Sequence, residues 1–349
     1  MTSEMRMQAD GGLPPARRRR AGRPPFPGRG VAGAALCVLA TSLAISTAPA
    51  SARSRPTVLG QRATIVGANT CFVAPGHRRV ILGTRHKDVI VGTRGDDWII
   101  SNGGPDLIDG GPGDDYIFGG ANPSDKKRDD PNKLIGGPGK DYIDGSYARD
   151  LIIGDQADLS RSVSGRAARD RIDGEFGGDL IVGDNYSGLD ASGGANDFVR
   201  AQNGGDTLIG DSAVSGAGTA TGSGNDHFES SSGRDFEVGD SYSPDGHAIG
   251  GGNDKMSAGP GSDLLVGDSY TKRGLAEGSG NDEIHSLAGD DLAFGDNYQS
   301  AGGQVIGGGS DEIGGGPGDD RLRAGPEFDL CAGGPGDNSV RKCEGRLPH

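Results

Sequence analysis

The chain has 349 residues, of which 67 are glycine; hydrophobic residues make up 33%, aromatics 5%, and the formal net charge is −14. Length alone allows two ordinary domains, but so little apolar material excludes a conventional large hydrophobic core, and the negative charge excludes nucleic acid and anionic membranes as partners. A disordered, glycine-rich chain would share this composition, yet here the glycines fall in phase with Asp and Ile, which disorder gives no reason to expect.

Residues 1–52 differ from everything after them. Arg17, Arg18, Arg19, Arg20, Arg23 and Arg29 form a basic region, 31–45 is mostly apolar, and small residues follow at Ala48-Pro49-Ala50 and Ala50-Ser51-Ala52. That order is the one of a secretory signal peptide with an extended basic start, so a secreted, extracellular mature chain is expected. The apolar run is short of the ~20 residues a membrane span needs, and no stable span is expected in the mature form. Cys37 follows Leu36 instead of a small residue, which argues against lipid-anchor cleavage there. Beyond residue 52 stand 28 basic and 47 acidic residues, a net charge of −19. Such a chain repels itself, and a bound divalent cation would relieve the repulsion, coupling ion binding to folding.

Residues 53–81 are expected to cap the fold at its N-terminal end, with short strands at 63–67 and 80–83 and Cys71 between them. From 82 to 117 the chain reads, in register, LGTRHKDVI, VGTRGDDWI, ISNGGPDLI and DGGPGDDYI. Asp88, Asp97, Asp106 and Asp115 recur every nine residues, and Ile90, Ile99, Ile108 and Ile117 follow each by two. Glycine lets a turn take positive φ and brings backbone close to a cation, while carboxylate and turn carbonyls offer the hard oxygens that suit Ca²⁺. The short strand after each Asp then turns its apolar residue into a narrow core, on the same side as the Asp.

Gly110-Gly111-Pro112-Gly113-Asp114-Asp115-Tyr116-Ile117 and Gly315-Gly316-Pro317-Gly318-Asp319-Asp320-Arg321-Leu322 are the fullest copies of a G-G-x-G-x-D-x-U-x unit. The chain resembles the calcium-binding nonapeptide repeats of the RTX (haemolysin-type) family. The resemblance implies an all-β fold, a right-handed parallel β-roll or β-solenoid of short strands, with several Ca²⁺ ions between stacked turns. It implies metal ligation by Asp88, Asp97, Asp106, Asp115, Asp141, Asp150, Asp170, Asp179, Asp197, Asp206, Asp226, Asp235, Asp254, Asp263, Asp282, Asp291, Asp311, Asp320 and Asp329. At the N-terminal end Asp88/Asp106 and Asp97/Asp115 are expected to be stacked pairs eighteen residues apart.

A polar stretch, 121–133, interrupts the rhythm and reads as a surface loop. From Gly136 the Asp residues come in pairs nine apart, and successive pairs are separated by 29, 27, 29, 28, 28 and 29 residues. About 18 residues per turn at the N-terminal end therefore become about 28 in the middle, with polar, glycine-rich loops inserted on one face. Each insertion opens on a Gly-Asp, at Asp155, Asp184, Asp211, Asp240, Asp268 and Asp296, and four continue to Tyr186, Tyr242, Tyr270 or Tyr298. A shelf of stacked loops is expected, with a Tyr ladder at its root. That ladder reads as solenoid stacking; the alternative is an extra metal or glycan surface. The roll is expected over 82–337 and a C-terminal cap or tail over 338–349. Cys331 and Cys343 are expected to pair in an exported protein, with Cys71 left over.

No catalytic constellation stands out. The Gly-Asp-Ser tripeptides at 239–241 and 267–269 are repeat copies, and His227 and His285 read as exposed strand residues. The expectation is a calcium-binding repeat protein with a structural, adhesive or matrix role and no catalytic activity, meeting extracellular polysaccharide or a cell-surface component. The alternative is a solenoid polysaccharide lyase or epimerase, with acid, base (Lys272 or Arg273) and aromatic converging on the loop face.

Overall fold

The structure is a computed structural model that describes residues 57–59, 61–62, 65–66, 70–72, 79–120 and 130–347. The signal-peptide reading, residues 121–129 of the polar stretch 121–133 and the side chain of Cys71 lie outside the described residues.

Every element is a short strand, and their order follows from the Asp-x-apolar unit. Two long sheets, of 12 and 13 strands, run the length of the described chain and take alternate strands from it. Val89–Val91, Leu107–Asp109, Lys133–Ile135 and Leu151–Ile153 lie in the first sheet; Asp97–Ile100, Tyr116–Phe118 and Tyr142–Ser146 lie in the second. All pairing within them is parallel except where Thr70–Phe72 runs antiparallel to Arg79–Leu82 at the N-terminal edge. The sheets continue into both expected caps: Ile65–Val66 pairs with Val89–Val91, and Ser339–Arg341 and Gly345–Arg346 extend the two sheets at the other end.

In the two long sheets the middle residue of each three-residue strand from Val89–Val91 to Leu330–Ala332 points inward. Ile90, Ile108, Leu134, Ile152, Ile181, Leu208 and Leu265 from one sheet meet Ile99, Ile117, Ile143, Ile172, Val199, Phe228, Met256 and Ile284 from the other in one buried column. The rung spacing confirms two repeat lengths. Ile81, Ile99 and Ile117 are in register 18 residues apart, whereas Ile143, Ile172, Val199, Phe228, Met256, Ile284 and Ile313 are 27 to 29 apart.

The inserted residues do more than loop. Each carries two short strands, such as Tyr242–Ser243 and Ala248–Ile249, and copies from successive coils pair into two further parallel six-stranded sheets. Expected as stacked loops, they form a β-arm. Neighbouring coils supply hydrogen-bond partners along the stack, so a two-residue strand needs no hydrophobic pattern of its own. Tyr186, Tyr242, Tyr270 and Tyr298 of the arm pack with Val182, Ile209, Val238, Val266 and Phe294 in a second apolar cluster. Tyr242 and Tyr270 stack at 5.7 Å between centroids and Tyr270 meets Tyr298 at 5.6 Å. The Tyr ladder thus forms over these three coils, while Ala213 separates Tyr186 from it; the rings help fill a core.

A second difference concerns 132–133, read as the end of the polar stretch. Asn132 is buried and Lys133 opens a strand of the first sheet. A third is Glu237, which stands where every other coil of that sheet puts an apolar residue. It is in register with Leu208 and Leu265 and has no exposed surface.

Candidate metal centre

The stacking sorts the Asp residues into two ladders, one on each edge of the roll. The first runs Asp88, Asp106, Asn132, Asp150, Asp179, Asp206, Asp235, Asp263, Asp291, Asp320, Asn338. In it each backbone N–H donates to the side-chain Oδ1 of the next member at 2.6 to 3.1 Å. The second runs Asp97, Asp115, Asp141, Asp170, Asp197, Asp226, Asp254, Asp282, Asp311, Asp329 with the same bond at 2.6 to 2.9 Å. It ends on Glu344, whose Oε2 accepts from Asp329 N–H.

All nineteen Asp singled out in the sequence thus fall on these ladders, and each is buried. The stacked pairs Asp88/Asp106 and Asp97/Asp115 are adjacent rungs. Sequence reasoning missed Asn132, Asn338 and Glu344. Asn132 lies nine residues before Asp141 and two before Leu134, so the phase marked it, but only the amide oxygen's acceptor role shows why Asn serves.

On most rungs the two carboxylate oxygens have different work. Oδ1 holds the coil register. Oδ2 accepts a bond from its own turn in Asp88, Asp97 and Asp150. In Asp106, Asp115, Asp141, Asp170, Asp179, Asp197, Asp206, Asp226 and the later Asp rungs it is buried with no hydrogen-bond partner, and in Asp115, Asp141, Asp170, Asp179 and Asp197 it lies against the glycine that opens the turn. An orphaned carboxylate oxygen in a buried site is costly unless a cation meets it. Burial pushes the carboxyl of Asp115 up to about 7, Asp179 to about 8 and Asp141 to about 9, with neighbouring Asp charges adding to the rise.

The opening glycines form the cradle. A side chain at Gly136 would lie 2.2 Å from Gly154 O and 2.4 Å from Asp141 Oδ2; at Gly110 the oxygens are Gly136 O at 2.4 Å and Asp115 Oδ2 at 2.6 Å. Two oxygens that share one Ca²⁺ must lie within about 5 Å of each other, and these pairs do. Gly111, Gly113, Gly316 and Gly318 also hold positive φ of 86° to 151°, which the turn requires and other residues resist. Among the described residues no three carboxylate, thiol or imidazole groups cluster as a compact all-side-chain metal site would need. The donor set that fits is one carboxylate plus loop carbonyls, an all-oxygen set suited to Ca²⁺ and lacking the nitrogen or sulfur preferred by softer ions.

At the C-terminal end Cys331 and Cys343 are joined by a disulfide. His227 and His285 are half-exposed, His285 Nε2 lying 3.0 Å from Glu283 Oε1. Arg273, considered as a catalytic base, is exposed and pairs with Asp245 at 3.1 Å.

These features define a parallel β-solenoid whose stacked turns present ladders of half-satisfied carboxylates. The profile of the RTX calcium-binding nonapeptide repeat (4 copies) matches residues 91–122, 129–158, 250–269, 278–297 and 306–340, and these segments are repeats of that family. No curated protein matches it. Calcium binding through a structural repeat is therefore the activity that family and fold support together. Among the described residues no helix is long and apolar enough to cross a membrane.

Proposed function

We propose that this chain is a secreted Ca²⁺-binding β-roll whose ions hold its coils together, serving a structural, adhesive or matrix-associated role without catalysis. The observation that carries the reading is the division of labour on most rungs of the Asp ladders, one oxygen spent on coil register and the other buried without a partner. With many such carboxylates stacked along each edge, the ion-free chain repels itself, so ions and fold are gained together. The leader-like residues 1–52 support export, where millimolar Ca²⁺ and disulfides are both ordinary.

Circular dichroism of residues 53–349 during a Ca²⁺ titration, with bound ions counted, tests this. Chelation is expected to collapse the β signal and Ca²⁺ to restore it; an ordered spectrum unchanged by exhaustive chelation would overturn the coupling. A non-catalytic role predicts no unsaturated product when the Ca²⁺-loaded chain is incubated with acidic polysaccharides. Appearance of such a product would replace this reading with that of a lyase.

A further inference from the structure

The expanded coils contain a third column of acids that the nonapeptide unit does not include. Asp155, Asp184, Asp211, Asp240 and Asp268 are wholly buried and Asp296 nearly so. Their backbones stack rung on rung, Asp184 N–H donating to Asp211 O at 3.0 Å and Asp211 N–H to Asp240 O at 3.0 Å. One oxygen of each of the first four accepts an N–H from its own turn, for example Gly224 N–H to Asp211 Oδ2 at 2.9 Å and Gly252 N–H to Asp240 Oδ2 at 3.1 Å. The other oxygen, Oδ1, meets no N–H or hydroxyl donor in any of the six; along the column the carboxyls of Asp155 and Asp184, Asp184 and Asp211, and Asp211 and Asp240 stand within hydrogen-bond reach of each other.

Plain coils provide the comparison. The residue after the opening glycine is Thr93 in the plain turn before Asp97, and its N–H donates to Asp97 Oδ2 at 2.6 Å. Thr84 donates both N–H, at 2.6 Å, and Oγ1, at 2.9 Å, to Asp88 Oδ2. In all six expanded coils that residue is Asp, and the ladder Asp of the same turn leaves its Oδ2 orphaned. The two carboxylates are close. Asp226 Oδ2 is 2.2 Å from where a side chain at Gly210 would begin, next in the chain to Asp211, and Asp268 Oδ1 and Asp282 Oδ1 lie 2.9 and 3.0 Å from that position at Gly280. Ser241 Oγ, adjoining Asp240, is another buried polar atom without a partner. In the plain turns of Asp115, Asp141 and Asp320, which have Gly at that position, Oδ2 is orphaned without a second carboxylate beside it. Where Thr84 and Thr93 set a donor against the ladder carboxylate, the expanded coils set a second acceptor. A buried pair of this kind is stable only with positive charge between its members.

We propose that Asp155, Asp184, Asp211, Asp240, Asp268 and Asp296, each with the ladder Asp of its own turn, form a column of divalent-cation sites particular to the expanded coils. The partners are Asp170, Asp197, Asp226, Asp254, Asp282 and Asp311. Two carboxylates per coil carry a charge of −2, which one divalent ion neutralises, so the stoichiometry is one ion per expanded coil. Loop carbonyls complete the oxygen set: Ala195 O and Asp211 Oδ1 lie 1.9 and 2.7 Å from the side-chain position at Gly224. The inserted arm thereby replaces a turn bearing one carboxylate with one bearing two. This inference rests on the calcium-binding reading and extends it to residues outside the repeat unit.

The test compares the full chain with Asp184→Asn/Asp211→Asn/Asp240→Asn, counting Ca²⁺ by equilibrium dialysis and following the β signal with and without chelator. The variant is expected to bind three fewer ions and, in chelator, to keep more β structure than the unaltered chain, because an Asn amide can donate to the facing carboxylate. Equal ion counts and equal midpoints would overturn the column while leaving the ladder sites intact; protons shared between successive rungs would give that result. No bound ion in the unaltered chain would overturn the calcium reading itself. Should the triple variant fail to fold, Asp211→Asn alone must lose one ion, and an unchanged count refutes the proposal.

Discussion

Gly239→Ala probes the stacking on which the metal sites depend. A Cβ at this position would lie 1.7 Å from the carbonyl oxygen of Gly267 in the next coil and 2.1 Å from Asp254 Oδ2. Real contacts of this kind stay above 3.0 Å, so the coils must part by roughly 1.3 Å. Gly239 N–H to Val266 O, at 2.9 Å, and Asp240 N–H to Asp268 O, at 3.1 Å, would then exceed hydrogen-bond range. Two buried N–H groups without partners cost about 1–3 kcal/mol each, so a loss of about 2–6 kcal/mol is expected. Urea unfolding in saturating Ca²⁺, followed by circular dichroism, should show a lowered midpoint. Because a solenoid is quasi-one-dimensional, a separate early transition of the middle coils would meet the same expectation. The comparison is Gly95→Ala, in an exposed turn where a Cβ would meet nothing within 4 Å, with an expected change of at most ~0.5 kcal/mol. If Gly239→Ala unfolds with Gly95→Ala, the close approach of coils is not what these glycines supply.

Other consequences can be measured in the same way. Burial pushes the Glu237 carboxyl up to about 8 from the ordinary 4.5, even though Ser230 Oγ donates to it at 2.6 Å; its stabilising form is the protonated one, lost as pH rises towards 8. Glu237→Leu should therefore raise stability at pH 7 by about 3 kcal/mol, and a destabilised variant would show that the carboxyl serves the fold. The ladder carboxyls raised to about 7 to 9, among them Asp115, Asp179 and Asp141, have the same sign. Their contribution is complete below the unfolded value near 4 and disappears as pH climbs through 7 to 9. In chelator the chain should hold more β structure at pH 5 than at pH 9, Ca²⁺ should abolish the difference, and the opposite order would refute the burial argument. Cys331→Ser/Cys343→Ser removes a short closed loop and should cost about 3 kcal/mol, confined to the last coils; protease cleavage before residue 300 at lower urea would contradict that confinement.

Much of the candidate site was legible because a solenoid writes its geometry into its period. Residues nine apart alternate between sheets and residues eighteen apart stack, so the pairs Asp88/Asp106 and Asp97/Asp115 could be named from spacing alone. The same phase carried the repeat across the longer middle coils, and the apolar residue two places after each Asp marked the core, with Glu237 the exception. Asn132 went unread because it ends a polar stretch and is not an Asp, although Leu134 follows it in phase and its amide oxygen accepts Asp106 N–H as an Asp would.

Sequence alone thus established the repeat length, the ladder Asp residues, the glycine turns and the acidic charge, since each is a property of one coil read along the chain. What stacking decided is whatever depends on two coils meeting. The inserted stretches show no strand period, yet become a two-sheet arm because each finds its hydrogen bonds in the copy above and below. The division of most ladder carboxylates into a register oxygen and a buried orphan is likewise invisible in one coil. So is the confrontation of Asp211 with Asp226, fifteen residues apart in the chain but brought together when the arm folds back on the turn that it interrupts.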